Sequence, residues 1–158
     1  MNEPTDAARP RTADRARRLL AVALLCGAHP ALADCFDDAA AYQGVSAQIL
    51  HGIAWLESHG NPAAEHVNAN GTIDIGELQV NSSHLRELAA YGINARKLRD
   101  ECVNIYVAAW QLKKQMIRYG NTWAAVGAYH SQTPRLRDAY ARQIRDILAR
   151  WGMLAQNK

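Results

Sequence analysis

Beyond residue 33, apolar residues recur at three- and four-residue intervals, and no run alternates for long enough to define an extended sheet. The pattern predicts a mainly α domain. A first helix covers 36–43 and stops at Gly44. A second, capped by Ser46, runs to Ser58 with Leu50, Ile53 and Ala54 on one apolar stripe. A third starts from Ser82 or Ser83 and ends near Tyr91 and Gly92. Residues 101–119 make the longest helix, with Val103, Tyr106, Val107 and Trp110 on one face and Ile105, Ala109, Leu112 and Met116 on the adjoining one. A stripe that wide marks a central helix packed on several sides. Thr122 caps a short helix to Tyr129, and Thr133 with Pro134 opens a last one whose Leu136, Tyr140, Ile144, Ile147, Leu148 and Trp151 face inward. Between the second and third helices lies "HGNPAAEHVNANGTIDIG", rich in turn formers. Within it "NANGT", leading into "TIDI", reads as a small β-hairpin.

The first 33 residues follow a different pattern. Five arginines precede the short apolar run "LLAVALLCGAHPALA", which ends in Ala31, Leu32 and Ala33. A basic start, an apolar stretch too short to cross a bilayer and a small-x-small ending define a secretory signal peptide cut before Asp34. The expected organisation is a leader over 1–33 and one exported, periplasmic domain over 34–158. Without the leader's five arginines and three acids, the 18 basic and 15 acidic residues fall to 13 and 12, a net charge of +1. That leaves no basic footprint for nucleic acid, and no later segment is apolar enough to span a membrane. Cys26 leaves with the leader. The remaining pair, Cys35 and Cys102, reads as a disulfide in an exported chain.

Glu57 is the first candidate for chemistry. It takes the next place on the stripe of Leu50, Ile53 and Ala54, just before the helix breaks at Gly60 and Pro62. Apolar enclosure and the negative end of a helix dipole both disfavour an ionised carboxyl, which suits a proton donor at neutral pH. A Glu at a helix end more commonly faces solvent or an ion-pair partner, so pattern alone makes it only a candidate. In "DIGELQVN", Gln79 and Asn81 flank Val80, and Gly76 permits close backbone approach. Such amides suit sugar hydroxyls and equally suit a hydrogen-bonded loop. "VGAYHSQTP" follows a helix with Tyr129, an aromatic with a polar tip. Asp74 is a candidate second carboxylate: it could stabilise positive charge on a sugar, hold a water, or be a turn acid bonded to backbone amides. His51, His59, His66, His84 and His130 are scattered without ligand spacing, so no metal and no cofactor is expected.

Taken in order, these blocks resemble the lytic transglycosylases with a goose-type-lysozyme-like fold, specifically the small exported members associated with secretion systems and pili. In that family a helix-ending Glu-Ser followed by Gly-Asn-Pro carries the catalytic acid, matched by Glu57, Ser58, Gly60, Asn61 and Pro62. Its Gly-Leu-Met-Gln-Ile-Asn segment lines the cleft, matched by Gly76, Leu78, Gln79, Val80 and Asn81, and its Ala-Tyr-Asn/His segment is matched by Ala128, Tyr129 and His130. "NIYVAAW" and "RYGNTWAAVGAYHS" are similar to its central and following helices. The resemblance implies a lysozyme-like SLT domain acting on peptidoglycan glycan strands, with secretion-system or pilus components as partners. It implies Glu57 as catalytic residue, Gln79, Asn81 and Tyr129 as sugar-positioning residues, and Ser58 as a hydrogen-bond support for Glu57. Two positions depart from the pattern. Glu77 replaces an apolar residue, either at the cleft edge or facing water, and "HSQTP" follows Tyr129 instead of the usual Asn-Ala-Gly.

Two other functions fit the same residues. A hydrolytic lysozyme would release reducing ends instead of 1,6-anhydro products. A non-catalytic peptidoglycan-binding adaptor of a secretion apparatus would have no need of an acid at position 57.

Overall fold

Most of the longer helices begin where a side chain satisfies one of their free N–H groups. Asp34 accepts from the Phe36 amide to start α1 (Cys35–Gln43), and Ser46 accepts from Ile49 to start α2 (Ala47–Ser58). Asp100 caps α5 (Glu101–Tyr119) and Thr122 caps α6 (Trp123–Ala128), while Pro134 opens α7 (Pro134–Arg150). Between α2 and α5 lie β1 (Glu65–Val67), β2 (Ile73–Ile75), β3 (Val80–Asn81), α3 (Leu85–Leu88) and α4 (Ala95–Leu98). The computed structural model describes residues 34–154; the expected leader, 1–33, and residues 155–158 lie outside them.

The domain is mainly α, and α5 is its axis. Ile105, Ala108, Ala109 and Leu112 of α5 are buried, and α1, α2, α4, α6 and β3 pack around it. α7 closes the other side of α2 and lies against α6. Two glycines set those approaches. A methyl group on Gly52 of α2 would sit 3.3 Å from Ile144 of α7, and one on Gly127 of α6 would lie 2.1 Å from the Arg137 carbonyl oxygen. A disulfide joins Cys35 to Cys102 and so ties the start of α1 to the start of α5. No helix among the described residues is long and apolar enough to cross a membrane.

Three features differ from the sequence pattern. The expected hairpin carries a third strand, giving an antiparallel sheet in the order β1, β2, β3. The third helix is broken into 3-10 turns on either side of α3, and its cap is Asn81, not Ser82 or Ser83. Only Leu88 in that segment is buried, so no continuous stripe holds a longer helix together. Leu136 and Trp151, expected inside, are 40% and 38% exposed. Leu136 precedes the buried part of α7, and Trp151 caps its end with an edge-on contact to Trp55.

Candidate active site

The stripe on α2 ends as its spacing predicts. Leu50, Ile53 and Ala54 are in the core, and Glu57 follows them half-buried in the last turn. His59 and Gly60 then turn left-handed, with the Gly60 amide donating back to the Ala54 carbonyl. Gly52 meets Ile144 and Leu148, and Glu57 meets Tyr140, so α2 and α7 run antiparallel. The Tyr140 hydroxyl donates to Glu57 Oε1 at 2.6 Å. Burial raises the Glu57 carboxyl above its ordinary range; the Tyr140 hydrogen bond and His130 pull it down, and the charge of Asp74 pushes it up. Burial wins. Tyr140 is itself 6% exposed, and burial moves its hydroxyl well above the usual phenol range, so it remains an O–H donor. His130 stacks flat on the Tyr140 ring, 5.0 Å between centroids.

The sheet forms the facing wall. Asp74 lies in the central strand opposite Asn81 on β3 and His66 on β1. Its two carboxylate oxygens accept from Asn68 Nδ2 at 2.8 Å and Asn81 Nδ2 at 2.6 Å. Side-chain amides therefore hold Asp74, and the reading as a turn acid bonded to backbone amides does not apply. The Asn81 amide also reaches Thr72 Oγ1 at 3.0 Å. Its N–H donors are thus committed to orienting Asp74 and the hairpin.

The turn from Gly76 to Gln79 makes the floor, and Asn104 of α5 clamps it. Asn104 is 1% exposed; its Nδ2 donates to the Ile75 and Leu98 carbonyls, and its Oδ1 accepts from the Leu78 amide. Gly76 has φ +77°, and a Cβ there would lie 2.4 Å from Asn104 Nδ2. Only glycine fits. Gln79 adopts φ +48°, a conformation uncommon for a side-chain-bearing residue, and its Nε2 donates to Gly76 O at 2.7 Å. That leaves the acceptor end of its amide for a ligand. The Tyr129 hydroxyl donates to Leu78 O at 2.8 Å, buttressing the floor from α6.

A cleft of about 600 Å³ is lined by Glu57, Asp74, Gln79, Asn81 and Tyr129, with Asn68, His84, Gln111 and His130 completing its wall. Ser58 is not among the lining residues. Its hydroxyl donates to the Glu77 carbonyl at 2.8 Å and accepts from the Asn61 amide at 3.0 Å, so it braces the loop and does not support the Glu57 carboxyl. Glu77 lies neither at the cleft edge nor in water, because its side chain turns into the protein and is 4% exposed. Periodicity missed Tyr140 by reading it as core alone, although a buried Tyr needs a partner for its hydroxyl. Asn104 was missed too; the sign in the sequence is an amide beside Val103, Ile105 and Val107 in the first turns of the central helix. A larger groove, about 780 Å³, lies between α1 and α5, but no carboxylate or imidazole lines it. Among the described residues no three His, Cys, Asp or Glu side chains converge as metal ligands.

Residues 34–146 match the family described as "Transglycosylase SLT domain". The chain belongs to that family, and its mainly α architecture with a small sheet is the lysozyme-like SLT fold. Among curated proteins it is 35% identical over 140 residues to the invasion protein IagB of Salmonella typhimurium strain SL1344, covering 85% of this chain and 88% of the relative. It is 34% identical to protein IpgF of Shigella flexneri over 129 residues, 80% of this chain and 85% of that one. An X polypeptide of Escherichia coli is 39% identical over 99 residues, 62% of this chain and 59% of that one.

Proposed function

We propose that this protein is a peptidoglycan lytic transglycosylase that cleaves the β-1,4 bond between N-acetylmuramic acid and N-acetylglucosamine. The observation that carries the proposal is Glu57: a half-buried carboxyl with raised proton affinity, hydrogen-bonded to Tyr140 in an amide-lined cleft. Glu57 protonates the bridging oxygen as the glycosidic bond breaks. The resulting carboxylate then takes the proton of the muramyl C6 hydroxyl as that oxygen bonds to C1. The product is a 1,6-anhydro ring, and no water is consumed. The attack is intramolecular, so proximity takes the place of a protein nucleophile. Asp74 presents its charge across the cleft to the oxocarbenium-like centre, while Gln79 and Tyr129 shape the floor beneath the sugar.

Asp74 also favours a second reading. A carboxylate fixed by two amides facing an acid is the arrangement that lets a hydrolase direct water, as in lysozyme-type pairs. Mass spectrometry of muropeptides released from purified sacculi separates the two, since transglycosylation gives anhydro ends and hydrolysis gives reducing ends. Glu57→Gln keeps the shape and removes the proton, and release should fall about 10²–10⁴-fold with the fold intact. Undiminished release would end the assignment of Glu57, whereas no release by the parent protein would leave the adaptor reading in its place. The proposal includes removal of the leader before Asp34 and action in the periplasm. A relative named as an invasion protein supports local opening of the wall for a secretion or pilus apparatus.

A further inference from the structure

α6 meets α7 at Gly127, where a Cβ would lie 2.1 Å from the Arg137 carbonyl oxygen, so the two backbones touch there. Three positions further along each segment stand His130 and Tyr140. Their rings are parallel, with 1° between planes and 5.0 Å between centroids, the spacing of an offset stack. His130 is held by its own turn, its amide donating to the Gly127 carbonyl at 3.2 Å. The imidazole is exposed and lines the cleft, whereas Tyr140 is 6% exposed and does not line it. The Tyr140 hydroxyl in turn donates to Glu57 Oε1 at 2.6 Å. The other titratable groups acting on this couple are Asp74 of β2, which acts on Glu57, and Tyr129, which acts on Tyr140.

We propose that His130 is a positioning residue: its imidazole stacks on Tyr140 and so keeps the Tyr140 hydroxyl aimed at Glu57. A phenolic hydrogen lies in the plane of its ring by conjugation. The orientation of the Tyr140 ring therefore decides whether that hydrogen points at Oε1, and a hydrogen bond weakens steeply once it bends. A flat ring lying parallel to Tyr140 fixes that plane. The stack thus connects the open cleft to the carboxyl through one phenol, and the close approach of α6 to α7 at Gly127 brings the two rings together. The part of His130 in turnover rests on the lytic reading; its hold on the Glu57 carboxyl does not.

The test compares His130→Phe with His130→Ala, each made in the full chain with Tyr140 and with Tyr140→Phe. Phenylalanine keeps a flat ring and removes only the electrostatic pull of the imidazole on Glu57; alanine removes the ring as well. His130 is exposed, so neither change opens the core. The Glu57 carboxyl is titrated by carbon-13 NMR, its signal identified by its loss in Glu57→Gln. It should titrate higher in H130A than in H130F, because only the alanine variant also loosens the Tyr140 hydrogen bond. In the Y140F background no hydroxyl remains to be aimed, and the two titrations should coincide. On solubilised glycan strands, kcat of H130A should fall about 2- to 10-fold below that of H130F, the size of one aromatic pair, with KM alike. Coincident titrations of H130A and H130F with Tyr140 present, or a difference that persists in Y140F, overturn the proposal. So does a rise in KM at unchanged kcat, which marks His130 as a substrate contact instead. The titration needs no turnover: a parent that cleaves nothing sinks the lytic reading, and the carboxyl still decides the role of His130.

Discussion

Tyr140 reaches Glu57 across 83 positions of sequence, and it acts against the burial that raises the carboxyl's proton affinity. Its removal therefore has a defined direction. In Tyr140→Phe the ionised form of Glu57 loses a donor, so the carboxyl titrates higher still. In the proposed reaction the acid must be protonated to act, and rate is lost as pH rises through its pKa. The alkaline limb of the kcat profile should thus move to higher pH, with kcat lowered because the carboxyl is less well positioned. Tyr129→Phe is the matched control. Its hydroxyl serves the Leu78 carbonyl, so it should cost about 1 kcal/mol of stability and leave that limb in place. An unmoved limb in Y140F would show that the hydrogen bond does not tune Glu57. The half-buried place of Glu57 could be read from sequence as a candidate, because an acid interrupts a stripe whose other members are apolar. Tyr140 could not, since a stripe reports which face is buried and says nothing of what its polar tip meets.

At the level of elements, the cleft depends on a turn held from behind. β2 ends at Ile75, β3 starts at Val80, and Asn104 bonds to Ile75 and Leu78 within that span. Gly76→Ala would force a methyl into the Asn104 amide at a left-handed φ, and the loss should be at least about 2 kcal/mol in urea denaturation. Asn104→Ala leaves two or more buried backbone groups unpaired and should cost a similar amount. The pair is non-additive: in the double variant the new methyl occupies space vacated by the amide, so the combined loss should be smaller than the sum. Strict additivity would show that the contact is not the cause. The long helices, 101–119 above all, were legible because one wide stripe and end signals agree over many residues. The three strands are two or three residues each, too short for alternation to register. The hairpin showed only through its turn, where Gly71 adopts φ +81° and Asn68 and Thr72 pair.

For the whole molecule, the disulfide is a covalent link between the start of α1 and the central helix, α5. Its presence was legible from cysteine number and the expected leader together, because an even pair is stable in an exported chain. Its consequence comes from topology. Cys35 and Cys102 are 67 positions apart, and closing a loop of that size in the unfolded chain corresponds to about 4 kcal/mol in the chain-entropy model. A domain of this size has a total stability of about 5–15 kcal/mol, so the link is a large share of it. The Cys35→Ala, Cys102→Ala protein should still fold, because the buried face of α5 does not depend on the bridge. Its urea midpoint should fall by the equivalent of about 4 kcal/mol, and its denaturant slope should rise as the unfolded chain expands. Release of muropeptides per folded molecule should stay near that of the parent, since Glu57, Asp74 and Tyr140 lie on elements the bridge does not touch. A loss under about 1 kcal/mol would mean that packing of α1 against α5 already restrains the unfolded chain, and that the bridge acts on something other than chain entropy.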